Sequence, residues 1–346
     1  MAQFDDLDRG ILHALQVDGR APFRRIGEVL GVSDQTIARR YRRLRDRRAL
    51  RVLGLSDPVA VDEAQWLFDL RVSPDGAAEV AQGLAARPDT SWVARCGGGA
   101  RVVGTVYGSG SEPLLLDALP RARQVLDVQA DRVLQIFYGG AGQPYSKPGP
   151  LTEDQVAALA RHFPEHATGE ATVAEPSDAV DRRLLAVLRG DGRAGVAQLA
   201  EATGASTSTV RRRLENLRCS GVLRFDVDVD PLVQQLTMRT LLYAQVSPAE
   251  LDHAGAQIAE HEEVGFAAAT TGTGNLFASV STSALTALYE YLTARIGALP
   301  GLRSSSTTPV VRTVKAAITR YDARLRGPAH RQAPRRTRSG PAAKSR

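Results

Sequence analysis

Cysteine, lysine and histidine are all scarce in this chain of 346 residues, and each shortage closes off a class of function. The two cysteines, Cys96 and Cys219, lie far apart with no CxxC pair, which argues against a disulfide framework and a zinc site. Of the six histidines, His162 and His166 stand at i and i+4, but Pro164 between them breaks the helical face, so no metal site is expected. No P-loop, GxSxG or HExxH sequence occurs. Neither an enzyme nor a cofactor is therefore expected. No apolar run approaches the roughly 18 residues that a membrane span requires. The opening MAQFDDLDRG is acidic and has no apolar centre, so no signal peptide is expected and a cytoplasmic, nucleoid-associated protein is.

Lysine is the most telling shortage: Lys147, Lys315 and Lys344 stand against 41 arginines. With much Ala and Gly, this matches a GC-rich genome, so abundant Arg is by itself weak evidence for nucleic-acid binding. The net charge of +6 is carried entirely by residues 327–346, a basic tail of disordered composition. Any phosphate-binding surface in the remaining, neutral body must come from local clustering.

What the chain does have is an internal repeat. Asp18-Gly19-Arg20-Ala21 returns as Asp191-Gly192-Arg193-Ala194, an offset of 173 that also relates Asp5 to Asp178, Asp8 to Asp181, Ser33 to Ser206 and Arg39-Arg40 to Arg212-Arg213. Ser73-Pro74 and Ser247-Pro248 follow at 174. So long a period means duplication of a whole unit, not a solenoid. The expected domains are 1–57, 64–140, 177–230 and 238–322, with a Gly/Pro-rich linker over 141–176. Within that linker Thr152-x-x-Gln155 is a capping-box signature for one helix.

Each unit opens with three helices. Asp5 suits the first N-cap, Asp18-Gly19 ends that helix, Pro22 starts a second, Gly31 ends it, and Ser33 caps a third. A short helix, a Gly-containing turn and a longer helix make a helix-turn-helix. Ile37, Tyr41 and Leu44 must face inward, which turns Gln35, Thr36, Arg39, Arg42 and Arg43 outward with Arg40 on the flank. Residues 39–51 hold eight Arg and one Asp, the local cluster the neutral body lacks elsewhere. Arg can bind guanine O6/N7 and Gln adenine N6/N7, while further Arg residues fix the register on phosphates. In the second copy Thr207, Ser208, Arg211 and Arg212 face outward, but Glu215 and Asn216 replace Arg42 and Arg43, so a weaker phosphate grip is expected there.

Each unit closes with an αβ domain. Strands are expected at 66–72, 91–96, 101–107 and 132–138 and helices at 74–84 and 114–123, in the order βαββαβ. The second unit repeats this with strands at 240–246, 264–270, 276–280 and 309–318 and helices at 248–260 and 284–296. The fold class is α+β: two winged or three-helix helix-turn-helix domains, each followed by a ferredoxin-like domain.

Asp-x-x-Asp, Asp-Gly-Arg and Gly-x-Ser before the third helix, followed by βαββαβ, resemble the Lrp/AsnC (feast-or-famine) transcription regulators. Thr271-Gly272-x-Gly274-Asn275-Leu276 is similar to that family's TG-x-x-D-L turn. The resemblance implies double-stranded DNA as partner, dimers paired through the sheet domains that often assemble further, and a small effector, often an amino acid, held near Thr271, Gly272, Gly274 and Asn275. A fused chain would be an internal pseudo-dimer that forms homo-oligomers. The family's turn Asp is Asn275 here and Arg101 in the first unit, where a cation would repel an effector's ammonium. Two alternatives share the architecture. An architectural DNA binder would have vestigial effector sites. Siroheme decarboxylases also occur as fused pairs, but their chemistry calls for His, Arg or Tyr at a tetrapyrrole, and no His lies in the turn-and-strand region of either αβ domain.

Overall fold

The computed structural model describes residues 4–47, 49–56, 63–109, 118–119, 122–140, 147–160, 178–229, 238–316 and 319–320. Most of the helix expected at 114–123, the histidines 162 and 166, and the basic tail lie outside these residues.

The first unit runs α1 (Asp6–Val17), α2 (Phe23–Leu30), α3 (Asp34–Asp46), β1 (Leu50–Ser56), β2 (Glu63–Val72), α4 (Ala77–Ala86), β3 (Thr90–Cys96), β4 (Arg101–Ser109) and β5 (Val125–Tyr138). After α5 (Glu153–Ala160) the second runs α6 (Ala179–Gly190), α7 (Val196–Thr203), α8 (Thr207–Cys219), β6 (Leu223–Val229), β7 (Met238–Val246), α9 (Leu251–Glu260), β8 (Val264–Thr270), β9 (Leu276–Thr282), α10 (Leu285–Glu290), β10 (Leu302–Ala316) and β11 (Thr319–Arg320).

The helix ends follow from their caps. Asp5 and Asp8 form a reciprocal capping box on α1, Gly31 and Gly204 end α2 and α7 in left-handed geometry, and Ser33 and Ser206 accept the backbone N–H of Thr36 and Thr209. Ile11, Leu15, Ile26, Ile37 and Leu44 form one helical core; Leu184, Leu188, Leu199, Val210 and Leu217 form its counterpart.

Strand β1 keeps Leu50 and Val52 in the core of its own helices and pairs antiparallel with β6 of the other unit, Leu50 facing Val229 and Ser56 facing Leu223. The loops before α2 and α7 reinforce this pairing reciprocally. Arg20 donates from Nη1 to the Gly192 carbonyl (2.8 Å) and from Nη2 to the Ala194 carbonyl (3.0 Å). Arg193 returns the same pair of bonds to Gly19 (2.8 Å) and Ala21 (2.9 Å). Both glycines sit at close approaches: a Cβ on Gly192 would press on the Leu53 backbone, and one on Gly19 on Phe225 and Val52. The repeated Asp-Gly-Arg-Ala is thus the seam between the two helix-turn-helix domains, as well as a turn.

The eight strands of the two αβ domains close into one ring, β10-β3-β4-β2-β5-β8-β9-β7 and back to β10, with β11 a hairpin on β10. Two long strands cross between units. β5 pairs through residues 125–132 with β2 and through 133–138 with β8; β10 pairs through 302–309 with β7 and through 310–315 with β3. Both therefore begin seven residues before the strands expected at 132 and 309. Helices α4 and α9 pack outside the ring, while Leu67, Ala94, Cys96, Val103, Leu241 and Phe277 pack together where the units meet.

Helix α5 begins with the expected capping box: Thr152 N–H donates to Gln155 Oε1 (2.9 Å) and Gln155 N–H to Thr152 Oγ1 (3.3 Å). Its segment is no free linker, because Leu151 and Leu159 are buried in the first helical core. Among the described residues no helix is long and apolar enough to cross a membrane.

Candidate nucleic-acid interface and effector turn

In α3, Ile37, Tyr41 and Leu44 are buried, while Gln35, Arg39, Arg42 and Arg43 are exposed and Thr36 and Arg40 half-buried. In α8, Val210, Leu214 and Leu217 face inward and Thr207, Ser208, Arg211 and Arg212 are exposed. The arginines are not equivalent. Arg40 pairs with Asp5 and with the wholly buried Asp8, and Arg43 reaches both Asp8 oxygens (2.6 and 2.5 Å). Arg213, the counterpart of Arg40, pairs with Asp178 and Asp181 in the same way. The Arg40 hydrogen bond holds the Asp5 carboxyl below its ordinary range. Arg40, Arg43 and Arg213 thus clamp the third helix of each domain to the cap of the first. Arg39, Arg42, Arg211 and Arg212 remain on the open face, with the Arg42 Nε bonded only loosely to the Ala38 carbonyl at 3.3 Å.

The turn between β8 and β9 is tied to its surroundings. Thr271 N–H donates to the Arg132 carbonyl (2.9 Å) and its hydroxyl accepts the Arg132 N–H (2.8 Å), which clasps the turn to β5 of the first unit. The Thr270 hydroxyl donates to the Gly274 carbonyl (3.0 Å). Asn275 uses both ends of its amide on Val246, accepting its N–H (2.8 Å) and donating to its carbonyl (2.9 Å). The expected ligand contact of Asn275 gives way to a structural one, since an amide that satisfies a backbone N–H and C=O has little capacity left.

Beside this turn stands a residue absent from the sequence-based expectation. Asp131, only 7 % exposed, accepts from the Gln129 amide (2.8 Å) and lies where a Cβ on Gly272 would fall. Gly272 has φ +95°, so this approach depends on glycine. Burial pushes the Asp131 carboxyl above its ordinary pKa. Its only signal in sequence was the polar alternation Asp127, Gln129, Asp131, which in an isolated strand suggests a solvated face.

The corresponding place in the first unit is filled. Arg101, which follows the Gly97-Gly98-Gly99 turn, forms a two-pronged pair with Asp69 and donates to Thr308 Oγ1 (2.9 Å). The Tyr243 hydroxyl donates to the same carboxylate (2.8 Å), and the Arg101 guanidinium lies 5.5 Å from the Tyr243 ring centre. Arg101 is therefore neutralised by Asp69 of its own unit and held in place by Thr308 and Tyr243 of the other.

Known proteins carry the same parts. The AsnC-type helix-turn-helix domain matches residues 4–45 and again 178–218, and the Lrp/AsnC ligand binding domain matches 242–318. The chain is similar to the HTH-type transcriptional regulator FL11 of Pyrococcus horikoshii, 27% identical over 141 residues that span 93% of that protein and 40% of this chain. It is likewise similar to the regulatory protein AsnC of Escherichia coli, 29% identical over 147 residues, 95% of that protein and 40% of this chain. Over its full length its fold is like that of the siroheme decarboxylase NirDL, with a TM-score of 0.59, 17% identity, and coverage of 93% of this chain and 96% of the other. At that identity the likeness is one of fold alone. The chain thus carries the AsnC-type helix-turn-helix domain twice and the Lrp/AsnC ligand binding domain in its second unit, the parts of an Lrp/AsnC transcription regulator.

Proposed function

We propose that the chain is a sequence-specific transcription regulator that reads double-stranded DNA as an internal pseudo-dimer. The observation that carries this reading is the reciprocal seam of β1 with β6 and of Arg20 with Arg193, which fixes two recognition helices relative to each other within one chain. Two heads so held suit half-sites about one helical turn apart, roughly 34–36 Å, or a multiple of it. Gln35, Thr36, Arg39 and Arg42 of α3 and Thr207, Ser208, Arg211 and Arg212 of α8 would meet base edges and phosphates, with Arg40 and Arg43 holding α3 in place.

The decisive experiment selects bound fragments from the native genome and compares their affinity with random duplex at physiological salt. Preference by tenfold or more is expected; equal affinity would mean an architectural binder. The double variant Arg39→Ala/Arg42→Ala should lower affinity far more than Arg211→Ala/Arg212→Ala and reduce the salt slope by about 1 per lost phosphate contact. Equal losses would overturn the unequal division of grip.

The effector we propose is a small molecule with an amino group, such as an amino acid, taken up at the turn of the second unit. Thr271, Gly272, Gly274 and Asn275 frame that turn, and Asp131 supplies the carboxylate an ammonium needs. Titration calorimetry with the amino acids should show one site per chain, weakened at least tenfold by Asp131→Asn; two equal sites would refute it. Exposed Leu126, Leu134 and Val311 on β5 and β10 support further assembly of chains into a homo-oligomer, which light scattering would detect. An enzyme of the decarboxylase kind is disfavoured, because Arg101 and Tyr243, the candidate groups where the units meet, are both engaged by Asp69.

A further inference from the structure

Two of the three lysines lie among the described residues, and both are buried at the same kind of place. Lys315, from β10 of the second unit, donates from Nζ to the carbonyls of Arg87 (2.7 Å) and Thr90 (2.5 Å) beyond the end of α4 in the first. Lys147, which follows the first unit, donates to the carbonyls of Ala259 and His261 (2.8 Å) at the end of α9 in the second. Its ammonium also lies 3.8 Å from the centre of the Tyr138 ring. An ammonium can aim three donors at converging carbonyls, which a planar guanidinium cannot. That accounts for lysine at these two positions of an arginine-rich chain.

Lys147 is followed at once by a second anchor. The sequence Lys147-Pro148-Gly149-Pro150-Leu151 holds two prolines of fixed φ, so the segment is short and stiff. Leu151 N–H donates to Nδ1 of the buried His13 in α1 (3.3 Å), and Gly149 seats directly against that ring. Gln155 Nε2 donates to the Val29 carbonyl at the end of α2 (2.8 Å), Arg25 to the Ala158 carbonyl, and Leu159 is fully buried in the first helical core. Among the described residues the second head donates an exposed bond to the αβ domain of the first unit, from Arg189 to the Pro88 carbonyl (2.8 Å).

We propose that residues 147–160 form a strap that couples the ligand-binding domain of the second unit to the first helix-turn-helix domain, and to it in preference to the second. Displacement of the end of α9 moves Lys147, and the two prolines pass that displacement to α1 and α2 rather than absorbing it. The strap joins the domain with the open effector turn to the head with the more basic recognition helix.

Hydrogen exchange on the full-length chain tests this. Lys147→Met should speed exchange of α1 and α2 amides about tenfold while leaving α6 and α7 unchanged. Lys315→Met, which removes the matching cap from α4, should loosen residues 87–90 and neither head. Inserting Gly-Gly-Ser between Pro148 and Gly149 leaves Lys147 on one side and the Gly149 and Leu151 contacts with His13 on the other but gives the segment between them slack, and in that background Lys147→Met should no longer reach α1 and α2. Lys147→Arg, a milder change, serves the same comparison should Lys147→Met not fold. Unaltered exchange in α1 and α2, an equal rise in both heads, or an undiminished effect in the insertion background would overturn the proposal. The measurement uses neither DNA nor effector, so its failure would leave the regulator reading standing.

Discussion

His13 is held neutral where the strap meets α1. Burial lowers its pKa below the ordinary 6.5, and its Nδ1 accepts the Leu151 N–H, a bond that protonation would abolish. The unfolded chain therefore binds the proton more readily than the folded one, so stability is intact above about pH 6.5 and is lost as pH falls through the lowered folded value. Urea midpoints measured from pH 8 to 4.5 should drop on the acid side, and His13→Gln should flatten that drop; an identical profile would exclude this residue as a cause. His261, also buried with a lowered pKa, adds to the same trend. Arg20 makes a prediction of another kind. Arg20→Met removes two charge-assisted bonds to carbonyls and should cost about 2–4 kcal/mol in denaturant titration; a loss below ~0.5 kcal/mol would mean that β1–β6 pairing alone holds the seam. Residue type was a poor guide to role here. Arg39 and Arg40 are neighbours in one basic run, yet only the second folds back on Asp5 and Asp8. Those partners lie more than thirty positions away, and no local pattern records the choice.

Elements were more legible than side chains. The caps at Asp5, Ser33, Thr152 and Ser206 mark helix starts because a short polar side chain beside an apolar period has few other uses, and the helices follow. The strand β8 falls where its β-branched and small apolar run predicts. The long strands β5 and β10 were only half legible. Their second halves, which cross to β8 and β3 of the other unit, fall where expected, whereas their first halves, paired with β2 and β7 of their own units, carry polar residues such as Asp127, Gln129 and Ser304 to Ser306 that read as solvated loop or edge. Helix α5 was visible through its capping box, whereas its destination was not: Leu159 reads as an ordinary apolar position until α1 and α2 are seen to receive it. Leu159→Ala should lower the stability of the first helix-turn-helix domain by about 2–4 kcal/mol, as a cavity in a closed core does. A change under ~1 kcal/mol would show that α5 rests on the surface. Gly272→Ala tests the effector turn at the same scale. A side chain there meets Asp131 at a positive φ, so effector binding should be lost while the helical domains melt unchanged.

The ring of eight strands is a property of the whole molecule, because each unit supplies half of it and neither half closes alone. A half-chain, residues 1–176 or 177–346, would leave its long strand with unpaired backbone groups along half its length. Each half expressed alone should therefore run as a dimer in light scattering; a stable monomer with intact β-sheet would refute the dependence. The same duplication that supplies both halves also lets them differ. Arg193 lies over Phe23 and Tyr41, whereas Arg20 lies over Phe225, so the seam is reciprocal in its hydrogen bonds and unlike in its packing. A dimer of identical subunits looks the same from either end of its site and must leave direction to its neighbours. A single chain with two unlike heads fixed across such a seam has a left and a right. Reading DNA as proposed above, it would sit on a non-palindromic sequence in one orientation only, and so would mark which way along the duplex it points.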